Sequence, residues 1–131
     1  WVNAQLGHNP DVLSHALLEK IQTPQVNTPG ELRSSGWRNE RLTRAAYAMG
    51  WRVFDYKGHK MVFHGGAVRG YRGLIAFMPD QDTGLVVLWN SESSAPSAFL
   101  PAWFDIVLGI QGRDWLGLGE SADTPQEINA D

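Results

Sequence analysis

The run KMVFHGG, residues 60–66, carries an apolar strand pattern into a histidine and two adjacent glycines. In an extended chain alternate side chains share a face. Lys60, Val62, His64 and Gly66 therefore lie on one side, with Met61, Phe63 and Gly65 on the other. A glycine inside a strand gives up packing and costs about 0.5–1 kcal/mol relative to alanine. It marks a bulge, or a place where another backbone or a ligand comes close. A strand with an open outer edge can pair with an extended substrate and aim a backbone N–H at a carbonyl oxygen. The plainer alternative is a strand-end His64 hydrogen-bonded locally beside a simple bulge.

Metal chemistry finds less support. His59 and His64 fall on opposite faces of a regular strand, and His8 and His15 fall on different elements. No H-E-x-x-H motif or carboxylate cluster accompanies them. The chain has no cysteine, which removes disulfides, thiolate ligands and a Cys nucleophile. G-x-S-x-G, P-loop and G-x-G-x-x-G patterns are also missing, so neither metal nor cofactor is expected.

The elements that must hold residues 60–66 can be read from period and punctuation. WVNAQLG (1–7) has apolar residues at helical spacing and stops at a glycine. Residues 9–21 read as a second helix, with Asn9 as cap, Pro10 in the first turn and Pro24 beyond its end. Residues 22–46 are polar, contain two prolines and four arginines, and read as loop with one turn of helix. A strand is expected over YAMGWRVFDY, a glycine hairpin at DYKGHK, and the strand KMVFHGG after it. The loop AVRG then leads to two further strands, YRGLIAFMP and LVVLWN, which are apolar on both faces. APSAFLPAWFDIVLGI supplies a covering helix with Phe99, Trp103, Ile106 and Ile110 along its expected inner side. From Leu118 the chain turns small, acidic and prolyl, and a disordered tail is expected over 118–131.

With 131 residues and 43% hydrophobic composition the chain has material for one domain, expected over 1–117. Its net charge of -3 gives no basic field, so no nucleic acid partner is expected. The fold class is α+β: an antiparallel four-strand meander flanked by helices. One long helix under-covers strands that ask for cover on both faces, and numbering opens at Trp1 rather than Met. The chain is therefore expected to be part of a longer protein.

Tyr47, Gly50, Trp51, His64, Gly66, Gly70, Tyr71, Pro79, Gly84 and Asn90 occur in an order and spacing that resembles one family. It is the C-terminal part of the serine β-lactamase and penicillin-binding-protein family, in its class C β-lactamase, DD-peptidase and esterase branch. The resemblance is clear over about residues 47–110. It implies that the strand at 60–66 lines an active site and that the backbone N–H of Ala67 serves an oxyanion hole. His64 would stand where the family has Lys, as a donor near the catalytic tyrosine and the substrate carboxylate. Gly65 would replace a Thr or Ser that binds that carboxylate, which leans the specificity towards esters or peptides. Gly66 would keep the backbone open, and Asn90 would face the site from the last strand. Arg69 and Arg72 read as a solvated loop.

The departures are as informative. No Ser is followed by Lys three residues on, and no Tyr-x-Asn occurs, so the family's nucleophile and base are missing from this stretch. The resemblance then implies one wall of a site for a small-molecule or peptide substrate, completed by an N-terminal part of the same protein. The parent would be periplasmic or exported if it follows the family. Leu85–Trp89 would lie at a bare edge, open to self-association. The competing reading is a non-catalytic module that captures a peptide along the open strand.

Overall fold

The computed structural model of the protein describes residues 1–119. The expected disordered tail therefore lies, from residue 120 on, outside the described residues. Six strands form one antiparallel meander in sequence order: β1 (Val26–Asn27), β2 (Leu42–Tyr47), β3 (Arg52–Tyr56), β4 (His59–Val68), β5 (Tyr71–Met78) and β6 (Thr83–Trp89). The α+β class holds, and the meander is two strands longer than its sequence pattern suggested.

Both extra strands come from the stretch read as loop, which also contains α3 (Gly36–Arg41). The reason β2 escaped notice is local. Its register against β3 shifts between Leu42 and Arg44. That shift puts Leu42 and Ala45, three apart, into the same core and breaks the alternation that marks a strand.

The segment after β2 is another correction. Ala48 to Trp51 does not continue a strand but turns, with the Ala48 N–H donating to the Trp51 carbonyl at 2.7 Å. Gly50 makes the turn possible at φ 81, where a side chain would be strained. The β3–β4 hairpin turns as expected at Lys57 and Gly58, both at positive φ, which matches the twist of the strands.

The sheet is cored on both faces. On one, Phe54, Tyr56, Met61, Phe63 and Leu74 pack with Leu100 and Phe104 of α4 (Phe99–Leu108). On the other, Trp51, Val53, Val62 and Phe77 meet Val2 and Leu6, which flank and begin α1 (Val2–Gln5). The second helix is shorter than expected. As α2 it spans His15–Gln22, and Ser14 rather than Asn9 is its cap, with its hydroxyl accepting from the Leu17 N–H at 3.3 Å. Asn9 instead closes a turn through its carbonyl.

The packing face of α4 also differs from expectation. Leu100 and Phe104 are fully buried, whereas Phe99, Trp103 and Ile106 are 48%, 41% and 73% exposed. The helix is apolar on nearly every side, so periodicity could not choose its inner face. Asp105 decides it. The buried carboxylate accepts from Arg41 Nε and Nη2, at 2.9 and 2.8 Å, from the Tyr56 hydroxyl at 2.6 Å and from Trp115 Nε1 at 2.7 Å. Those four bonds turn the Leu100–Phe104 side towards the sheet.

Candidate functional site

The β4–β5 hairpin is tighter than its sequence implied. β4 runs on to Val68 and pairs with β5 down to Val68↔Tyr71, leaving only Arg69 and Gly70 in the turn. Gly70 takes φ 78 there. Ala67 is therefore a ladder residue opposite Arg72, not a loop residue. Arg72 likewise belongs to β5, whereas Arg69 stays exposed at the tip.

On its other side β4 loses its partner early. The last β3–β4 pair is Arg52↔Phe63, five residues before β4 ends. The turn at Gly50–Trp51 closes the next position. His64 Nδ1 lies 2.8 Å from the Gly50 carbonyl, which can only accept, so this nitrogen carries the proton. The imidazole also meets the Trp51 ring edge-on, with centroids 6.3 Å apart. From Gly65 onward the outer edge of β4 has no strand partner among the described residues. In an antiparallel ladder every second residue aims its N–H and C=O away from its one partner. The strand thus offers free backbone groups at the place where the glycines fall.

The two glycines differ in their surroundings. A Cβ on Gly65 would meet the Phe63 ring at 3.1 Å, while one on Gly66 would meet nothing within 4 Å. Gly65 is there for packing against its neighbour two residues back. Gly66 borders open space.

Beside this strand lies a cleft of about 260 Å³, lined by Phe63, the Gly65–Ala67 backbone, Arg72 and Trp89, with Ser94 and Ser97 on its far wall. A smaller recess next to Trp37 and Arg38 shares Phe63, Leu74 and Ser97 with it. The Arg38 guanidinium sits 5.5 Å from the centre of the Phe63 ring. Burial is the main cause that lowers its pKa from the usual arginine value, against the pull of Glu31. Arg72 donates from Nη2 to Glu92 at 2.9 Å, and the Gly70 N–H donates to the other Glu92 oxygen at 2.7 Å. The Gly70 bond first, then the Arg72 bond, hold the Glu92 carboxyl below the usual carboxylate range.

The structure brings Gly65, Gly66 and Ala67 together on one cleft. His64 turns to the opposite sheet face and keeps only its Nε2 uncommitted. Asn90 is exposed just beyond β6 and lines a neighbouring recess with Tyr71 and Arg72 rather than the cleft itself. Arg72, read from the sequence as part of a solvated loop, instead lies in β5 and lines the cleft. Among the described residues no group of three or more His, Cys, Asp or Glu could hold a metal ion. No described helix is long and apolar enough to cross a membrane.

An antiparallel meander with helices on both faces and a cleft along one strand defines the penicillin-binding-protein and β-lactamase type of fold. The penicillin-binding protein homologue from Pyrococcus abyssi, solved as an octamer, superposes with a TM-score of 0.68 and 26% identity over 82% of this chain. A profile of the Beta-lactamase family matches residues 12–109, and the chain belongs to that family, which is one of serine hydrolases. The unguisins hydrolase ungD' of Aspergillus campestris is 30% identical over 95 residues, or 72% of this chain. The chain spans 16% of the length of that hydrolase and 22% of the Pyrococcus protein.

Proposed function

We propose that this chain supplies the strand and oxyanion side of a serine acyl-transfer site within residues 1–117, acting on a β-lactam, a D-Ala peptide or an ester. The observation that carries the reading is the open outer edge of β4 beyond Phe63, placed along a cleft at the glycine pair. A substrate carbonyl laid along that edge would present its oxygen to the Ala67 N–H. As a serine attacks, the carbonyl π electrons move to this oxygen, and the N–H stabilises the charge that forms. The adduct collapses to an acyl-serine as the substrate's C–N or C–O bond breaks and its amine or alcohol leaves, and water then displaces the serine from the acyl group. Gly65 and Gly66 keep the approach free, Asn90 flanks it, and His64, whose Nδ1 proton is held by the Gly50 carbonyl, stands on the opposite face of the strand.

Neither Ser-x-x-Lys nor Tyr-x-Asn occurs in the chain, so the nucleophile and its base come from polypeptide outside these residues. The isolated chain is expected to hydrolyse neither nitrocefin nor p-nitrophenyl esters, and turnover lost on covalent serine labelling would contradict this. In the longer protein, Gly66→Val lowers turnover by about 10²–10³, the scale of a lost oxyanion donor, and His64→Ala lowers it less. A Cβ at Gly66 meets no atom within 4 Å, so the variant is expected to leave the fold intact. Wild-type kinetics for Gly66→Val would remove the site from this strand. The same edge could capture a peptide without chemistry. Failure of a fluorophosphonate to label the longer protein would favour that reading.

The border of β6 carries a second part of the proposal. β6 ends the sheet, and Val86 and Leu88 are 52% and 77% exposed on it. Beside it Phe99, Trp103 and Ile106 of α4 line an apolar groove with Leu85 and Val87. This edge pairs with the remaining part of the protein or, in its absence, with a second copy. A compact monomer in sedimentation at micromolar concentrations, with β6 amides protected, would disprove it.

A further inference from the structure

We propose that the recess between α3 and β4 is a specificity subsite for an extended peptide substrate. It takes an uncharged, acceptor-bearing side chain two residues from the carbonyl that reacts. The inference rests on β4 being the site, and deepens that reading by choosing the peptide among its substrate classes. The recess holds about 130 Å³ between Trp37, Phe63, Leu74 and Leu100, and shares Phe63, Leu74 and Ser97 with the cleft. Leu74 pairs with Gly65 in the β4–β5 ladder, and Ala67 lies two residues, or about 7 Å, further along β4. A substrate with its reacting carbonyl at Ala67 therefore brings the residue two positions away to Gly65. Directly opposed residues point their side chains to the same sheet face, here the face of Phe63 and Leu74. Gly65 has no side chain of its own to fill that space.

Two donors wait in the recess. Ser35 Oγ and Arg38 Nε are buried and have no hydrogen-bond partner among the described residues. A buried donor without an acceptor is costly to keep, so two in one recess beside a cleft point to an acceptor that a ligand brings. The charge of Arg38 is already met. Its Nη1 pairs with Glu31 and donates to Ser34 Oγ at 2.8 Å, and its side chain is only 14% exposed. A carboxylate entering there would meet Glu31 as a like charge. The group that fits is uncharged, with an apolar stem against Phe63 and Leu100 and a carbonyl oxygen at its end, as in a glutamine side chain.

The test uses the longer protein and the p-nitrophenyl esters of acetyl-Gln-Ala-D-Ala, acetyl-Leu-Ala-D-Ala and acetyl-Glu-Ala-D-Ala. The Gln ester is expected to show a kcat/KM about tenfold above the other two, the scale of one or two hydrogen bonds. Ser35→Ala removes a hydroxyl that the fold leaves unbonded, and Arg38→Lys keeps a charge beside Glu31. Each should erode the preference, and the double variant should abolish it. Equal kcat/KM for the Gln and Leu esters, with Gly66→Val still slowing both, would overturn the subsite and leave the catalytic strand standing. A preference for Gln that survives the double variant would overturn the role of the recess. A Glu ester as good as the Gln ester would overturn the uncharged class. If Gly66→Val turned over all three esters at the wild-type rate, the site itself would fall and the inference with it.

Discussion

Two of the arginine–carboxylate pairs among the described residues, Arg41–Asp105 and Arg72–Glu92, look alike on paper and sit in different surroundings. Arg41 and Asp105 join α3 to α4 through two-pronged bonds, with 9% and 5% of the residues exposed. Tyr56 and Trp115 complete the set, and the Arg41 guanidinium also lies 5.0 Å from the centre of the Trp115 ring. Every oxygen of Asp105 is engaged. Arg72 and Glu92 join a hairpin tip to the segment after β6 in half-exposed surroundings, with a guanidinium N–H left over. A charge pair that builds the fold is saturated by its partners. The half-exposed pair keeps one donor in reserve.

Breaking the buried pair should have the largest effect. Asp105→Leu leaves Arg41 charged and buried, removes the acceptor of Tyr56 and Trp115, and is expected to cost about 3–5 kcal/mol in urea unfolding. The double variant Arg41→Leu with Asp105→Leu should cost less than Asp105→Leu alone, because no orphan charge remains. A double variant at least as unstable as that single would show that the pair is not the coupled unit described here.

The pH dependence sharpens the same point at intermediate size. Burial by itself opposes ionisation of Asp105, but the bonds from Arg41, Trp115 and Tyr56 outweigh it and hold its pKa below the usual value. Its contribution is therefore present above about pH 4, where the unfolded carboxyl titrates, and is lost as pH falls through the lower folded value. Burial first, then the bond to Asp105, raise the Tyr56 phenol well above the usual tyrosine range. That contribution is full below about pH 10 and drains away as pH rises beyond it. Urea midpoints followed across pH should show both slopes. Asp105→Asn should flatten the acid limb and Tyr56→Phe the alkaline one, and unchanged limbs would contradict the assignment.

The exposed pair sets the small end of the scale. Arg72→Gln and Glu92→Gln should leave the urea midpoint where it is, since exposed ion pairs lose in desolvation and side-chain entropy most of what they gain. A clear loss of stability in either variant would make this pair structural too, and the contrast between the two would disappear.

What the sequence determined by itself is the part written in short-range pattern. Alternation placed Val53 and Val62 on one face with Phe54 and Phe63 on the other, and the structure keeps that division. The Lys57–Gly58 hairpin and the order of motif residues were legible for the same reason: a strand period and a positive φ are local properties. Tertiary structure decided the rest. A register shift hid β2, because alternation fails across it. The inner face of α4 could not be chosen from a helix apolar all round, and it was fixed by a carboxylate whose arginine lies 64 residues away in the chain. Gly50 reads as a strand glycine until the turn it makes presents its carbonyl to His64. The partner of Arg72 lies 20 residues further on, and whether its spare N–H faces a cleft depends on Trp89 and the loop beyond it. Periodicity states which side of a segment is apolar. Which buried polar groups meet is settled only when distant segments are packed together, because unpaired they would not stay buried.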